Sequence, residues 1–251
     1  MDLGLKDRTY VLTGATRGLG NATARELITD GAKVVITGRT EESARSAATA
    51  LGPNALGVAA DNADPATPDR LIAAARNHFG GFDGILISVG GPPAGTAAAV
   101  TDDQWRRAID TIFLGAVRTA RTAAGELSEG GVIGFVLSAS VHEPIPGLTI
   151  SNALRPGLAG FAKSLATELG PRGIRVIGLL PNRIDTDRVK ELDALSDDPQ
   201  KTKAHHTTQI PLGRYGTPTE FGKAAAFLLS PAASYLTGVM LPVDGGARHG
   251  F

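Results

Sequence analysis

Cysteine is missing altogether from this 251-residue chain, which removes disulfide frameworks, thiolate zinc sites and cysteine nucleophiles from consideration. An excess of one charge is missing too. Twenty-five Lys plus Arg balance 25 Asp plus Glu, so no net field attracts nucleic acid or an anionic membrane, and neither is expected as a partner. Nowhere do 18 apolar residues run together, and the start Met1-Asp2-Leu3-Gly4-Leu5-Lys6-Asp7 has no apolar h-region, so a soluble cytoplasmic protein is expected. What is present is a hydrophobic fraction of 42%, ample for a buried core at this length. The 32 glycines exceed an average share of roughly 7% without a collagen-like repeat, which implies tight turns and close backbone approaches.

Apolar runs of strand length alternate with longer amphipathic stretches. Seven strands are predicted, at Thr9–Thr13, Val34–Thr37, Ala55–Ala60, Gly84–Ser88, Val132–Leu137, Ile174–Leu180 and Val239–Val243. Helices are predicted over Leu19–Thr29, Glu41–Leu51, Pro68–Phe79, Asp102–Leu127, Gly157–Leu169 and Thr217–Leu229. Gly31, Gly52 and Gly170 stand where a left-handed helix C-cap wants a glycine, while Thr101 and Thr217 open helices with early acidic residues. This β-α rhythm implies one α/β domain over residues 1–251, a doubly wound, Rossmann-like, seven-stranded parallel sheet flanked by helices. The least regular stretch, about 182–212, follows a strand's carboxyl end, where substrate loops sit in open α/β sheets.

The turn Thr13-Gly14-Ala15-Thr16-Arg17-Gly18-Leu19-Gly20 joins the first strand to the first helix, so its backbone N–H groups can hold a pyrophosphate. Its GxxxGxG spacing differs from the GxGxxG dinucleotide signature and resembles that of the short-chain dehydrogenase/reductase family. The resemblance extends along the chain. Asp61 matches the family's adenine-contacting acidic position, with Asn62 sharing that role. Pro181-Asn182-Arg183-Ile184-Asp185-Thr186 is similar to the loop that clamps the nicotinamide end, with Asn182 in place of a glycine. The stretches Ile210–Arg214, Thr217–Glu220, Phe227–Ser230, Leu236–Gly238 and Val243–Gly246 resemble the family's ending. The resemblance implies a cofactor site built from Thr13, Gly14, Thr16, Arg17, Gly18, Leu19, Gly20, Asp61, Asn62, Gly90, Arg155, Pro181, Ile184 and Thr186. No carboxylate ends the second strand, where an NAD-binding site carries one. Arg39, helped by Arg17, suits a 2′-phosphate instead, so NADP(H) is favoured over NAD(H).

The catalytic pattern is where the chain departs from its relatives. Family members that work on a carbonyl carry a Ser, a Tyr-x-x-x-Lys pair and an Asn on the preceding long helix. Counting back from Gly157-Leu158-Ala159-Gly160-Phe161 puts Ser151 at the Tyr position and Arg155 at the Lys position, and counting from Trp105 puts Ile112 at the Asn position. Ser88-Val89-Gly90-Gly91 replaces the family's Asn-Asn-Ala-Gly. The site serine is Ser138 or Ser140, since spacing favours one and the following Val141 the other. An aliphatic hydroxyl such as that of Ser151 is too weak an acid to replace a phenol, and a guanidinium cannot act as its base. Arg155 can still hold a ribose or stabilise an oxyanion, and His142 is the one imidazole of the loop above the site, a candidate proton donor. His205 and His206 are sequence neighbours that diverge on a helix, and no metal site is expected.

Ser151-Asn152-x-x-Arg155, with Gly90–Gly95 and Glu143-Pro144-Ile145-Pro146, resembles a divergent β-ketoacyl-acyl-carrier-protein-reductase-like branch. The implied function is an NADP(H)-dependent oxidoreductase with an atypical site, reducing a carbonyl or conjugated C=C bond of a small-molecule substrate. The alternatives are a cofactor-binding homologue without turnover, or a dehydratase, isomerase or cyclase with a structural nucleotide. The resemblance also implies a homo-oligomer, a tetramer or dimer. The stripe Leu158, Phe161, Leu165, Leu169 on one helical face serves either core or interface.

Overall fold

The computed structural model describes residues 2–250. Seven short apolar runs form β1 (Thr9–Leu12), β2 (Lys33–Gly38), β3 (Ala55–Ala59), β4 (Gly84–Ser88), β5 (Val132–Val136), β6 (Arg175–Pro181) and β7 (Met240–Val243). All pair in parallel in the order β3-β2-β1-β4-β5-β6-β7, the Rossmann-like sheet expected from the sequence. Because β1 to β3 run outward one way and β4 to β7 the other, the strand order reverses between β1 and β4. A crevice opens there at the carboxyl ends.

The strands face helices on both sides, which is why they read as nearly continuous apolar runs. Val11, Ile133, Phe135 and Val176 point into one layer, and Tyr10, Leu12, Val132, Val136 and Ile177 into the other. The helices are α1 (Gly18–Thr29), α2 (Glu41–Leu51), α3 (Thr67–Phe79), α4 (Asp102–Ala108), α5 (Gly115–Glu126), α6 (Thr149–Leu169), α7 (Asp187–Asp193), α8 (Pro199–Thr208) and α9 (Pro218–Leu229). Thr101 and Thr217 build capping boxes with Gln104 and Glu220.

Several expectations are corrected. The segment expected as one helix over Asp102–Leu127 is wound as a π-helix at Ile109–Leu114, between α4 and α5. Helix α6 starts at Thr149, eight residues before the expected Gly157, and runs through Pro156 although that proline has no N–H for the i→i−4 ladder. Gly170 is right-handed (φ −52°) and opens a 3-10 turn, and the left-handed stop falls at Gly173 (φ 69°). Gly52 has positive φ but extended ψ (101°, −169°), whereas Gly31 has φ 89°. The irregular stretch 182–212 contains α7 and α8, capped by Thr186 and Asp198. The stripe on α6 belongs to the core: Leu158, Leu165 and Leu169 are buried, and Phe161 stands edge-on to Phe135. No helix among the described residues is long and apolar enough to cross a membrane.

Candidate active site

A cleft of about 2020 Å³ runs along the carboxyl edge of the sheet, from the glycine turn and β2 across β4 and β5 to α7, α8 and the C-terminal residues. Thr13, expected among the cofactor residues, is buried and does not line the cleft; it ties the two strands of the switch point together behind it. Its hydroxyl donates to Ser88 O (3.0 Å) and accepts from Ser88 N (2.9 Å). The turn that follows is held by Thr37, which accepts from Gly14 N at its hydroxyl (3.0 Å) and from Ala15 N at its carbonyl (3.1 Å). Gly14 (φ 58°) and Gly18 (φ 59°) need the left-handed region, and a Cβ on Gly14 would collide with Ser88 O. A Cβ on Gly20 would come within 2.9 Å of Ala15 Cα. No side chain caps the start of α1, so its first N–H groups are left for a ligand. Backbone packed this closely around an uncapped helix start fits a dinucleotide pyrophosphate.

The remaining expected cofactor residues line the same cleft. Thr16, Leu19, Arg39, Asp61, Asn62, Gly90, Pro181, Ile184 and Thr186 all do so. Arg39 directly follows β2, exposed and with no hydrogen bond or ion pair among the described residues. Arg17 reaches across instead to Asp187 (3.8 Å) and Glu191 (3.9 Å) of α7. Asp61 holds its own turn, accepting from Ala63 N (2.9 Å). Thr186 caps α7 and lies about one methyl contact, 4.0 Å, from where a Cβ of Gly18 would stand.

Between β5 and α6 the structure separates the two serines that spacing left open. Ser138 lines the cleft, and its hydroxyl accepts from Ser140 N (3.1 Å), capping the turn Ala139–Val141. Ser140 is buried behind it, its hydroxyl 3.1 Å from that of Ser151. Arg155, one turn along α6, is 5% exposed and spans the strand ends: Nη1 donates to Val136 O (3.0 Å) and Nη2 to Val89 O (3.1 Å). It forms no ion pair among the described residues, and burial pulls its pKa down to about 10. A desolvated cation that still has unused N–H donors is left facing the cleft. Ile112, 4% exposed, lies in the π-helical segment. His142 is exposed at the rim, its pKa lowered by desolvation and by Arg248.

The outer wall rests on contacts with no local sequence signal. Arg188 of α7 donates to Pro92 O (2.6 Å), passing so close to Gly91 that a Cβ there would meet its Nε at 2.8 Å. Arg183, in the loop after β6, pairs with buried Asp193 (2.9 Å), which also accepts from Tyr215 (3.0 Å). Arg183 Nη2 donates to His206 Nε2 (2.7 Å), a bond that needs neutral imidazole. Burial and Arg183 lower the His206 pKa. The unfolded chain therefore binds the extra proton first, and this contact stabilises the fold above the ordinary histidine range and loses that contribution as pH falls through it. His206→Gln, which keeps an acceptor but cannot titrate, is expected to flatten the decline in thermal unfolding temperature between roughly pH 7 and 5. An unchanged slope would show that His206 does not report this linkage.

Comparison with known proteins agrees with the fold. Residues 14–248 match a family model described as enoyl-(acyl carrier protein) reductase. The chain is 35% identical over 252 residues to L-rhamnose 1-dehydrogenase (NAD(P)(+)) of Azotobacter vinelandii, covering 96% of this chain and 97% of that protein. It is 33% identical over 246 residues to the 3-oxoacyl-(acyl-carrier-protein) reductase of Salmonella typhimurium, covering 97% and 98%. A crystal structure from Brucella melitensis, described as a short-chain dehydrogenase/reductase and glucose/ribitol dehydrogenase, superposes with TM-score 0.92 at 30% identity over the whole of both chains.

Proposed function

The chain belongs to the short-chain dehydrogenase/reductase family and is an oxidoreductase by that membership, and from this premise we propose that it is an NADP(H)-dependent reductase of conjugated carbonyl compounds. The observation that carries the reading is Arg155, a buried cation at the ends of β4 and β5 without a carboxylate partner among the described residues. The residues that would hold the cofactor are Gly14, Gly18 and Gly20 at the pyrophosphate, Arg39 at a 2′-phosphate, Asp61 at the adenine, and Ile184 and Thr186 at the nicotinamide end. When bound, NADPH supplies the hydride.

In this reading Arg155 stabilises negative charge that develops on the substrate oxygen, since a fixed cation in a desolvated site acts strongly there. Ser138 faces the cleft and holds that oxygen, while Ser140 fixes Ser151 from behind. Neither serine is acidic enough to donate a proton early, so the proton comes from water or from His142. A conjugated C=C bond suits such a site better than an isolated ketone: the charge delocalises into an enolate, and protonation follows hydride delivery. The deciding experiment offers stereospecifically deuterated NADPH with ketones, enones and enoyl thioesters. Label in an enone product supports the reading. No label in any product, with cofactor still bound, leaves a binding protein or a non-redox enzyme.

A homo-oligomer is also proposed, supported by Ile109 and Leu114, which stay 38% and 40% exposed on the π-helical segment. Light scattering at micromolar concentration is expected to give a dimer or tetramer mass, and a monomer would remove the proposal.

A further inference from the structure

We propose that Asn152 is a specificity-determining positioning residue: it braces residues 144–148 as a fixed apolar wall of the substrate half of the cleft, selecting uncharged, apolar conjugated carbonyl compounds. The inference rests on the reductase reading for its substrate chemistry and on the geometry of Asn152 for the brace.

Asn152 does not line the cleft, yet both ends of its amide are spent on the backbone of one residue seven positions earlier, one bond to each of the two peptides that flank Ile145 Cα. Its Oδ1 accepts from Ile145 N (2.9 Å), and its Nδ2 donates to Ile145 O (2.9 Å). The sequence makes that pairing consequential. Pro144 and Pro146 flank Ile145 and carry no N–H, so Ile145 holds the only amide hydrogen of the three, and Asn152 takes it. Ile145 O also accepts from Leu148 N (3.1 Å), closing a turn. The far end of the turn is tied across the cleft mouth: Gly95 N donates to Gly147 O (2.7 Å) and Thr149 N to Gly95 O (3.5 Å). The loops after β4 and β5 thus form one joined wall, anchored on α6 through Asn152.

The cleft side of that wall is apolar. Pro92, Pro93, Pro144, Ile145, Pro146 and Leu148 line it. Residues 144–148 themselves carry no charge; Glu143 borders them at one end and Arg188 reaches the wall at Pro92 O, so a charged substrate group laid on this face is desolvated without a partner in it. The two prolines leave the stretch 144–146 little conformational freedom to lose when a ligand packs on it, provided the Ile145 backbone between them is held. Holding that backbone is the role of Asn152.

The test compares the full chain with Asn152→Ala and Asn152→Asp, the second keeping an acceptor for Ile145 N while losing the donor to Ile145 O. Hydrogen exchange at the Ile145 amide is expected to speed up by about tenfold or more in Asn152→Ala and less in Asn152→Asp. NADPH affinity stays within about twofold, KM for cyclohexenone rises by about tenfold, and kcat stays within about threefold. Preference for cyclohexenone over its ring carboxylate shrinks in the same order. Retained protection of Ile145 in Asn152→Ala overturns the brace, and so does a fall in kcat at unchanged KM. If the parent reduces neither compound, the reductase reading falls separately. The exchange rates, with calorimetric binding of cyclohexenone to NADP⁺-loaded protein, still decide the brace.

Discussion

Replacing Arg155 by alanine is expected to lower kcat/KM for an enone by roughly 30- to 150-fold, a loss of about 2–3 kcal/mol of transition-state stabilisation, as for removal of one oxyanion donor. The physical basis is the penalty the fold accepts to place a cation there. Burial alone pulls its pKa from the ordinary guanidinium range down to about 10, which corresponds to about 3 kcal/mol against the charged form. That cost is present throughout the neutral range, because the group stays protonated in both folded and unfolded states. Two carbonyls, Val136 O and Val89 O, offset part of it, but no carboxylate among the described residues does. Removing the charge therefore separates stability from activity. Arg155→Met is expected to keep the unfolding free energy within about 2 kcal/mol of the parent, since relief of desolvation offsets the carbonyls left without donors. Activity still falls as in the alanine variant. Ser151→Ala is expected to cost less than Arg155→Ala, because Ser151 bonds Ser140 and not the reacting atoms. Stopped-flow NADPH oxidation with parallel denaturant melts checks all three. Equal activity in Arg155→Met would remove Arg155 from catalysis.

The parts of this arrangement legible in the sequence are those set by local rules. Buried parallel strands announce themselves as short apolar runs; Gly14 and Gly20 are required by backbone approaches that any side chain would block, and Gly18 by its left-handed φ. The start of α6 was hidden because Pro156 reads as a break. The helix continues through it while Ser151, Asn152 and Arg155 are each tied to β5 or its following loops, and tertiary contacts override the local preference. Helix α8 has no buried residue and so no apolar period to detect, although Asp198-Pro199 is an N-cap followed by proline at the first helical position. The choice between Ser138 and Ser140 could not be made from spacing, since the turn between them puts one on the cleft and the other behind it. Likewise the Arg183–Asp193–Tyr215–His206 cluster joins residues up to 32 positions apart, which no window on the sequence brings together.

Cofactor choice gives the second large expected effect. Fluorescence titration is expected to show NADPH binding more tightly than NADH, and Arg39→Asp is expected to reverse that order. Arg39 stands exposed just past the end of β2 with no partner among the described residues, beside the start of α2, where Thr40 accepts from Ser43 N (3.2 Å). A phosphate there would meet both a guanidinium and a helix N-terminus. Charge-assisted hydrogen bonds of this kind are worth about 1.5–3 kcal/mol, so NADPH affinity should fall by roughly 10- to 150-fold in Arg39→Asp. The new carboxylate would also repel the 2′-phosphate and accept hydrogen bonds from an unphosphorylated ribose, so NADH should hold or gain affinity. Arg17→Ala should have the smaller effect on the margin, because Arg17 leans towards Asp187 and Glu191. Exposed charges are screened by salt, so the parent's NADPH preference should narrow as ionic strength rises from about 0.01 to 1 M, while the NADH constant barely moves. Equal affinities for the two cofactors in the parent protein, or a preference indifferent both to salt and to Arg39→Asp, would overturn the assignment.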